Sequence, residues 1–259
     1  EKYCTLYIDL SGESLFKRGW RTDKGEAPLK ENMAAGLLKL SGWTPDMPLL
    51  DPFCGSGTIA IEAASIACGL VPGISRSFGF EKLLNFDREL WTELREDAKS
   101  EVNLHREVSI TASDISSIVV RKAEANALRA GLGGLLESGN LKFSVCDARN
   151  VLPPTETPGI IVANPPYGEQ STPRSATVGS MMRHVADNLK HNFAGWTAWM
   201  LTSDRHLPGE MHLKEGRKTV LFNGPLECRF FKFDLVAGSN RRVKNRDAAS
   251  DSTPSDAES

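Results

Sequence analysis

The residues with the clearest chemical potential are Asn164, Pro165, Pro166 and Tyr167, which follow the apolar run 160–163. The run predicts a short buried strand. The side-chain oxygen of Asn164 and the carbonyl of Pro165 could both accept hydrogen bonds from a planar NH2 group, such as the exocyclic amine of a base or a side-chain amide. The prolines restrict the loop to one shape, and Tyr167 offers a flat face for stacking. The pattern favours methylation of such a nitrogen over its other interpretation, a rigid strand exit without chemistry.

A second motif, with the sequence DPFCGSGT, occupies residues 51–58. It follows an apolar run and precedes a helical pattern over 59–68, which predicts the first strand, turn and helix of a nucleotide-binding α/β fold. Gly55 and Gly57 let the backbone turn sharply and approach a ligand closely. The motif lacks the third glycine of a dinucleotide fingerprint, and an Asp beside the turn would repel a pyrophosphate. Asp51 suits instead the α-ammonium group of S-adenosylmethionine.

An acidic residue also ends the next predicted strand, over 108–113. Asp114 could accept hydrogen bonds from both hydroxyls of a ribose. It follows Gly57 by 57 residues, against the roughly 20 expected, and a helical insert predicted over 87–105 accounts for the excess. Glu81 is an alternative ribose ligand that we rank lower, because no strand-like run precedes it.

A fourth strand end is predicted at Asp147, after the run 141–146. This carboxylate is placed to accept a hydrogen bond from the amino group of an adenine. Each of these aspartates, taken singly, could be a helix cap or a turn residue. Their order along the chain, together with the Asn164 loop, argues against coincidence.

Composition excludes several other classes of function. The five cysteines and five histidines show no metal-ligand spacing, which argues for reduced thiols and against a metal site. No apolar run approaches the ~20 residues of a membrane span. The formal net charge of −2 is unusual for a free-standing RNA-binding domain. Two basic clusters could contact phosphate or form solvated surface: Lys17, Arg18, Arg21 and Lys24, and residues 241–246.

The order of predicted elements indicates an α/β fold. Strands are predicted over 4–10, 48–51, 108–113, 141–146, 159–163, 196–202, 218–222 and 227–236, and helices over 29–40, 57–68, 87–105, 116–130 and 176–192. The alternation ends in a hairpin, which predicts a seven-stranded, mostly parallel sheet with one antiparallel strand and helices on both faces. We expect a strand and helix over 1–46 to pack on a main domain over 47–238. A basic and then disordered tail would follow over 239–259.

The motifs DPFCGSGT, SDIS, CDA and NPPYGE, in this order, resemble those of class I S-adenosylmethionine-dependent methyltransferases of the amino-methylating branch, which have a Rossmann-like fold. The stretches RGWR at 18–21 and GEAPLKEN at 25–32 narrow the resemblance to the catalytic domain of the THUMP-associated bacterial 23S rRNA guanine-N2 methyltransferases, over about residues 1–240. The resemblance implies methyl transfer to an exocyclic amine of an RNA base, guanine N2 of 23S rRNA, with S-adenosylhomocysteine as product. It also implies a cytoplasmic protein, ribosomal RNA as partner and a THUMP-type RNA-binding domain upstream, which fits a chain that opens with Glu1.

The resemblance further implies roles for individual residues. Those expected against the methionine end of the cofactor are Ala27, Pro28 and Leu29. Those expected along its amino-acid and ribose side are Asp51, Pro52, Phe53, Gly55, Gly57 and Thr58. Contacts to ribose and adenine are expected from Asp114, Ile115, Asp147 and Ala148. The target-nitrogen loop would consist of Asn164, Pro165, Pro166 and Tyr167, with Asn164 also touching the cofactor.

Three other functions remain open on the residues alone. An adenine-N6 methyltransferase acting on DNA or RNA would use the same four residues at 164–167, and a glutamine-amide protein methyltransferase also ends this strand in NPPY. The third is a cofactor-binding RNA module without activity. Intact Asn164 and Tyr167 speak against it, because a retired site would tolerate their loss.

Overall fold

The computed structural model describes residues 3–22, 29–166 and 175–237, with side chains from 178 onward in the last range. Its helices are α1 (Glu31–Ser41), α2 (Thr58–Ala67), α3 (Arg88–Ser100), α4 (Ser117–Arg129), α5 (Gly133–Ser138), α6 (Ser175–Asn192) and α7 (Leu207–Met211). A 3-10 turn covers Gly79–Lys82. Its strands are β1 (Leu49–Asp51), β2 (Ile110–Asp114), β3 (Leu141–Val145), β4 (Ile160–Ala163), β5 (Thr197–Thr202), β6 (Arg217–Asn223) and β7 (Leu226–Asp234).

The strands form one seven-stranded sheet in the order β3-β2-β1-β4-β5-β7-β6. β7 pairs antiparallel with both β5 and β6, while the pairs among β1 to β5 are parallel. The predicted mostly parallel sheet with one antiparallel strand is therefore confirmed. The chain runs outward from β1 to β3 and then returns to β4 on the other side of β1. Ligands of such sheets bind at this switch point, outside the carboxyl ends of the strands.

Helices cover both faces of the sheet, as predicted. β1 is buried throughout. Leu49 packs in one apolar layer with Leu38 of α1 and Ile61 of α2. Leu50, which points to the opposite face because side chains alternate along a strand, packs in the second layer with Leu189 of α6. A strand buried on both faces reads as a continuous apolar run, which is why β1 and β4 were visible in the sequence.

The strand predicted over 4–10 is wrong. This segment forms no strand, and Leu6, Tyr7 and Ile8 are 88%, 90% and 76% exposed. Within the described part of the chain no strand lies alongside it. A segment without a neighbouring strand gains no ladder hydrogen bonds. Its apolar pattern was thus insufficient to predict a strand.

The remaining predicted elements begin and end within two residues of the observed ones, except in the insert. There α3 ends at Ser100, short of the predicted 105, and none of its residues is buried. Even its leucines Leu90 and Leu94 are 50% and 51% exposed. The short helices α5 and α7 were not predicted, because five or six residues show too little periodicity.

Candidate active site

A cavity of about 570 Å³ lies at the carboxyl ends of β1 to β4. Its size is in the range of small-molecule sites. The four predicted strand-end residues, Asp51, Asp114, Asp147 and Asn164, all line it. Residues that are widely separated in the chain meet here because parallel strands bring their carboxyl ends to one edge of the sheet.

Most of the other predicted site residues line the same cavity: Leu29, Pro52, Phe53, Gly55, Thr58, Ile115, Ala148 and Pro166. Gly57 and Pro165 are buried and do not line it. Ala27, Pro28 and Tyr167 lie outside the described residues. The sequence interpretation missed further lining residues: Cys54, Ser56, Ile59, Val119, Lys122, Arg149 and Met181. Helical spacing after Ile115 could have indicated Val119 and Lys122, which both lie on α4. Nothing in the sequence marks Met181.

Gly57 has a structural role in the turn between β1 and α2. Its φ of +87° lies in the left-handed region that favours glycine, and its N–H donates to the Cys54 carbonyl at 2.8 Å. A Cβ at this position would lie 3.0 Å from the Cβ of Ala123 on α4. This glycine thus allows the close approach of α4 to the turn, which explains why it does not line the cavity.

Asp51 is the most deeply buried carboxyl of the site, at 1% exposure. Burial raises its pKa to about 8; the hydrogen bond that it accepts from the Phe53 N–H at 3.1 Å opposes the rise, and the nearby charge of Asp114 adds to it. Among the described residues, no Lys or Arg side chain forms an ion pair with it. The site therefore holds a buried carboxyl that a cationic ligand group would stabilise in its ionised form.

Asp114 joins two of the strand ends. Its Oδ2 accepts from the Gly55 N–H at 3.1 Å, and its Oδ1 accepts from the Ser116 N–H at 2.9 Å. A carboxylate oxygen has two lone pairs, so each can still accept a ligand hydroxyl. Glu81, the alternative, does not line the cavity. Its carboxylate accepts from the Phe78 N–H at 2.6 Å and caps the turn that it lies in.

Asp147 is paired with Arg149. The Nε of Arg149 lies 3.0 Å from both carboxylate oxygens, and its backbone N–H donates to Oδ1 at 2.9 Å. These hydrogen bonds from the Arg149 side chain hold the pKa of Asp147 below its usual value. Asp147 thus stays ionised and fixed in orientation at the cavity wall.

The predicted target-nitrogen loop leaves the sheet at the switch point. β4 is buried along its whole length, Asn164 is half-buried, Pro165 is buried and Pro166 is exposed. The chain therefore passes from core to surface over three residues. This brings Asn164 into the lining of the cavity that also holds Asp51.

The N-terminal basic cluster is not a solvated phosphate-binding surface at its two arginines. Arg18 pairs with Glu62 at 3.1 Å and Arg21 with Glu31 at 3.0 Å, with arginine side-chain exposures of only 13% and 14%. Burial raises the pKa of Glu62, against the lowering effect of its hydrogen bonds from Arg18. Lys17, the other described member, is exposed and pairs with Glu13 at 3.0 Å. Lys24 and the second basic cluster, residues 241–246, lie outside the described residues.

Two features are absent from the parts of the chain that the structure describes. No group of three or more His, Cys, Asp or Glu side chains could hold a metal ion. No helix there has the length and apolar character needed to cross a membrane.

Comparison with known proteins places these features in context. A protein family described as "RMKL-like, methyltransferase domain" matches residues 18–232. The chain is 43% identical over 246 residues to a protein of Shewanella baltica named ribosomal RNA large subunit methyltransferase K/L, and equally to its namesake in Shewanella oneidensis. The match covers 92% of this chain and 33% of each relative, so the chain spans about a third of the length of the curated relatives it matches.

Solved structures give the same picture. SMU.472, crystallised in complex with SAH, is 34% identical with a TM-score of 0.79, over 92% of this chain and 59% of that one. A Listeria monocytogenes protein described as a predicted N6-adenine-specific DNA methylase is 33% identical with a TM-score of 0.77, over 88% and 57% of the two chains.

Proposed function

Since the chain belongs to the family of RMKL-like methyltransferase domains, we propose that it transfers a methyl group from S-adenosylmethionine to guanine N2 of large-subunit ribosomal RNA. The observation that carries the proposal is the convergence of Asp51, Asp114, Asp147 and Asn164 on one cavity. The names of the relatives support ribosomal RNA as the substrate. The choice of guanine N2 rests on the resemblance of the RGWR, GEAPLKEN and NPPYGE motifs.

The residues of the cavity fit this cofactor. Asp51 would receive the α-ammonium group, because it is buried and has no Lys or Arg ion-pair partner among the described residues. Asp114 would accept the ribose hydroxyls with the lone pairs left by Gly55 and Ser116. Asp147 would accept from the adenine amino group. The complex of the relative SMU.472 with SAH supports a cofactor of this class. When bound, the cofactor supplies an electrophilic methyl group carried on a sulfonium sulfur.

The contribution of Asn164 and Pro165 would be to orient the target nitrogen and stabilise its developing charge. The amide oxygen of Asn164 and the carbonyl of Pro165 would each accept a hydrogen bond from the NH2 group. These hydrogen bonds would raise the electron density on the nitrogen and align it for attack. The amine would become cationic as the new carbon–nitrogen bond forms and the methyl–sulfur bond breaks, and it would then release a proton to water. No strong general base is needed. For a base within a helix, the nucleotide must first rotate out of the stack, at about a few kcal/mol.

To test the proposal, the full-length protein is incubated with labelled S-adenosylmethionine and, in separate reactions, with deproteinised ribosomal RNA, with DNA and with total protein. We expect label in RNA, and digestion to nucleosides should yield N2-methylguanosine. Label in N6-methyladenine is the outcome for the second candidate, which the description of the Listeria monocytogenes structure favours. The Asn164→Ala variant is the control in each arm, because a true product must disappear with it. Label in protein alone would refute both candidates.

A second part of the proposal concerns the partner in the longer protein. Phosphate contacts dominate affinity for RNA, and the net charge of −2 supplies few of them. We propose that a THUMP-type RNA-binding domain in the full-length protein provides the rest, and that the protein acts on RNA in the cytoplasm. RNA affinity across a salt series should be higher, with a steeper slope, for the full-length protein than for this chain. Equal affinity and slope would place the whole RNA site within residues 1–259.

A further inference from the structure

Arg21 joins the start of α1 to the turn between β1 and α2. Its Nε donates to Glu31 Oε1 at 3.0 Å, and Nη2 donates to the Leu29 carbonyl at 3.2 Å. Nη1 donates to Ser56 Oγ at 3.0 Å, and Nη2 also donates to Thr58 Oγ1 at 2.6 Å. Four of the five N–H groups of the guanidinium are thus engaged. This is the behaviour of a structural fork, since a surface cation would leave most donors to water.

A second chain of hydrogen bonds reaches the same turn from the same segment. Arg129 Nε donates to the Trp20 carbonyl at 2.9 Å, and Arg129 Nη2 donates to Asn126 Oδ1. Asn126, which is 4% exposed, donates in turn to the Ser56 carbonyl at 2.9 Å. Ser56 is therefore held at its hydroxyl by Arg21 and at its carbonyl by Asn126. Two consecutive residues, 20 and 21, fix one turn by two routes.

Three of the four hydrogen-bond partners of Arg21 belong to the cavity wall, whereas Arg21 does not. Leu29, Ser56 and Thr58 all line the cavity, and Arg21 lies outside the lining. We propose that Arg21 is a positioning residue for the cofactor: from behind the wall it holds Leu29 and the 55–58 turn at the spacing that binds S-adenosylmethionine. The inference rests on the proposed function. It assigns to the second arginine of the RGWR stretch a role inside the protein in place of phosphate contact.

The fork geometry makes this role specific to arginine. A lysine ammonium is a compact charge that could pair with Glu31, but it cannot direct donors along both edges of a plane to Ser56 and Thr58. Arg21→Lys should therefore keep the ion pair with Glu31 but lose the hydrogen bonds to Ser56 and Thr58 that fix the turn. Arg21→Ala alone would leave Glu31 buried, at 4% exposure, without its cation, which is strongly destabilising. The alanine test thus removes both partners together.

The experiment compares three variants of the 259-residue chain: Arg21→Ala with Glu31→Ala, Arg21→Lys, and Arg18→Ala with Glu62→Ala. The last is a matched control, because its pair has nearly the same geometry and side-chain exposure, 13% and 4% against 14% and 6%. Arg18 donates to Glu62 and to the Leu15 carbonyl and, among the described residues, donates no hydrogen bond to the 55–58 turn. Affinity for S-adenosylhomocysteine is measured by calorimetry, and stability by urea unfolding.

Both double variants should lose stability to a similar extent, but only the Arg21 variant should bind S-adenosylhomocysteine about tenfold more weakly, as expected for loss of hydrogen bonds that fix the site. Arg21→Lys should regain most of the stability and little of the affinity. A merely structural Arg21 predicts instead that affinity falls equally in both double variants, or that lysine restores it, and either result overturns the inference. If every variant binds S-adenosylhomocysteine with wild-type affinity, the role of Arg21 is wrong and the proposed function is untouched. If the unsubstituted chain does not bind S-adenosylhomocysteine, the proposed cofactor is wrong as well.

Discussion

Asp51→Asn tests whether the buried carboxyl of the cavity is a titrating group that a cationic ligand group ionises. Burial raises the pKa of Asp51 to about 8, and the charge of Asp114 contributes to the rise. Asparagine has nearly the same shape and keeps an oxygen that can accept from the Phe53 N–H. The substitution therefore removes the exchangeable proton and leaves the turn its hydrogen bond.

The sign of the stability effect follows from linkage. The folded pKa of Asp51, about 8, lies above the ordinary value of 3.8, so between these pH values the folded state binds more protons than the unfolded state. The stabilisation from this group is complete below pH 3.8 and is lost as the pH rises through about 8. Its slope approaches about 1.4 kcal/mol of unfolding free energy per pH unit. The free energy of unfolding of the cofactor-free chain, measured in urea, should therefore fall less steeply as the pH rises for Asp51→Asn than for the wild type. The two slopes should differ by about this amount.

The same proton should leave when the α-ammonium group binds beside Asp51. Binding of S-adenosylhomocysteine at pH values below 8 should release close to one proton, measurable by calorimetry in buffers of different ionisation enthalpy. Below this pKa, the apparent Kd should decrease by up to about tenfold for each unit by which the pH rises. The Asn variant should bind more weakly, release no proton and show a flat pH profile.

Asp46→Asn is the control for these measurements. Asp46 is exposed, and a hydrogen bond from Thr44 lowers its pKa. It therefore stays ionised over the pH range of these measurements, and its substitution should change neither the pH dependence of stability nor that of S-adenosylhomocysteine binding. The reasoning fails if Asp51→Asn keeps the wild-type pH dependence of stability. It fails equally if the wild type binds S-adenosylhomocysteine without releasing a proton.

Three further predictions follow from the site. Asn164→Ala should retain most of its cofactor binding, because the three aspartates of the cavity remain, but lose on the order of 10²–10³ in turnover at saturating RNA, by analogy with loss of one oxyanion-hole donor; near-normal turnover would remove Asn164 from the mechanism. Asp114→Ala should weaken cofactor binding by about 1–3 kcal/mol. Glu81→Ala should not, because that carboxylate caps the Phe78 N–H; the reverse result in calorimetry would exchange their roles. Gly57→Ala should lower the free energy of unfolding in urea by at least about 1–2 kcal/mol, since its φ is +87°; unchanged stability would show that the turn can relax.

The strand ends were predictable from the sequence because parallel strands impose their own geometry. Asp51 and Asn164 end or follow short apolar runs, and Asp114 follows an alternating run. Such runs must lie side by side in a buried parallel sheet. Their carboxyl ends then meet at one edge whatever the loops do. This is why residues more than a hundred positions apart could be assigned to one site. All of them line a single cavity, and their functional roles stay predictions.

Contacts that depend on a distant partner were not predictable. The apolar pattern of 4–10 resembles that of a buried strand, but a strand forms only beside another strand, and periodicity contains no information about a neighbour. Arg149 was missed for a related reason: its pairing with Asp147 depends on a local turn and not on the strand before it. Patterns therefore locate the elements, and the polar network that fixes the loops requires coordinates.

The N-terminal basic cluster shows how this limit bears on RNA binding. Arg18 and Arg21 neutralise Glu62 and Glu31 inside the protein, so their charges add little to the surface field that attracts phosphate. Ion pairs formed within the protein release no counterions when RNA binds, and the salt dependence of binding reports only the cations that meet phosphate. A sequence count of basic residues thus overestimates the phosphate contacts of this region. For this physical reason, together with the net charge of −2, we look for the main source of RNA affinity in the two thirds of the longer relatives that this chain does not span.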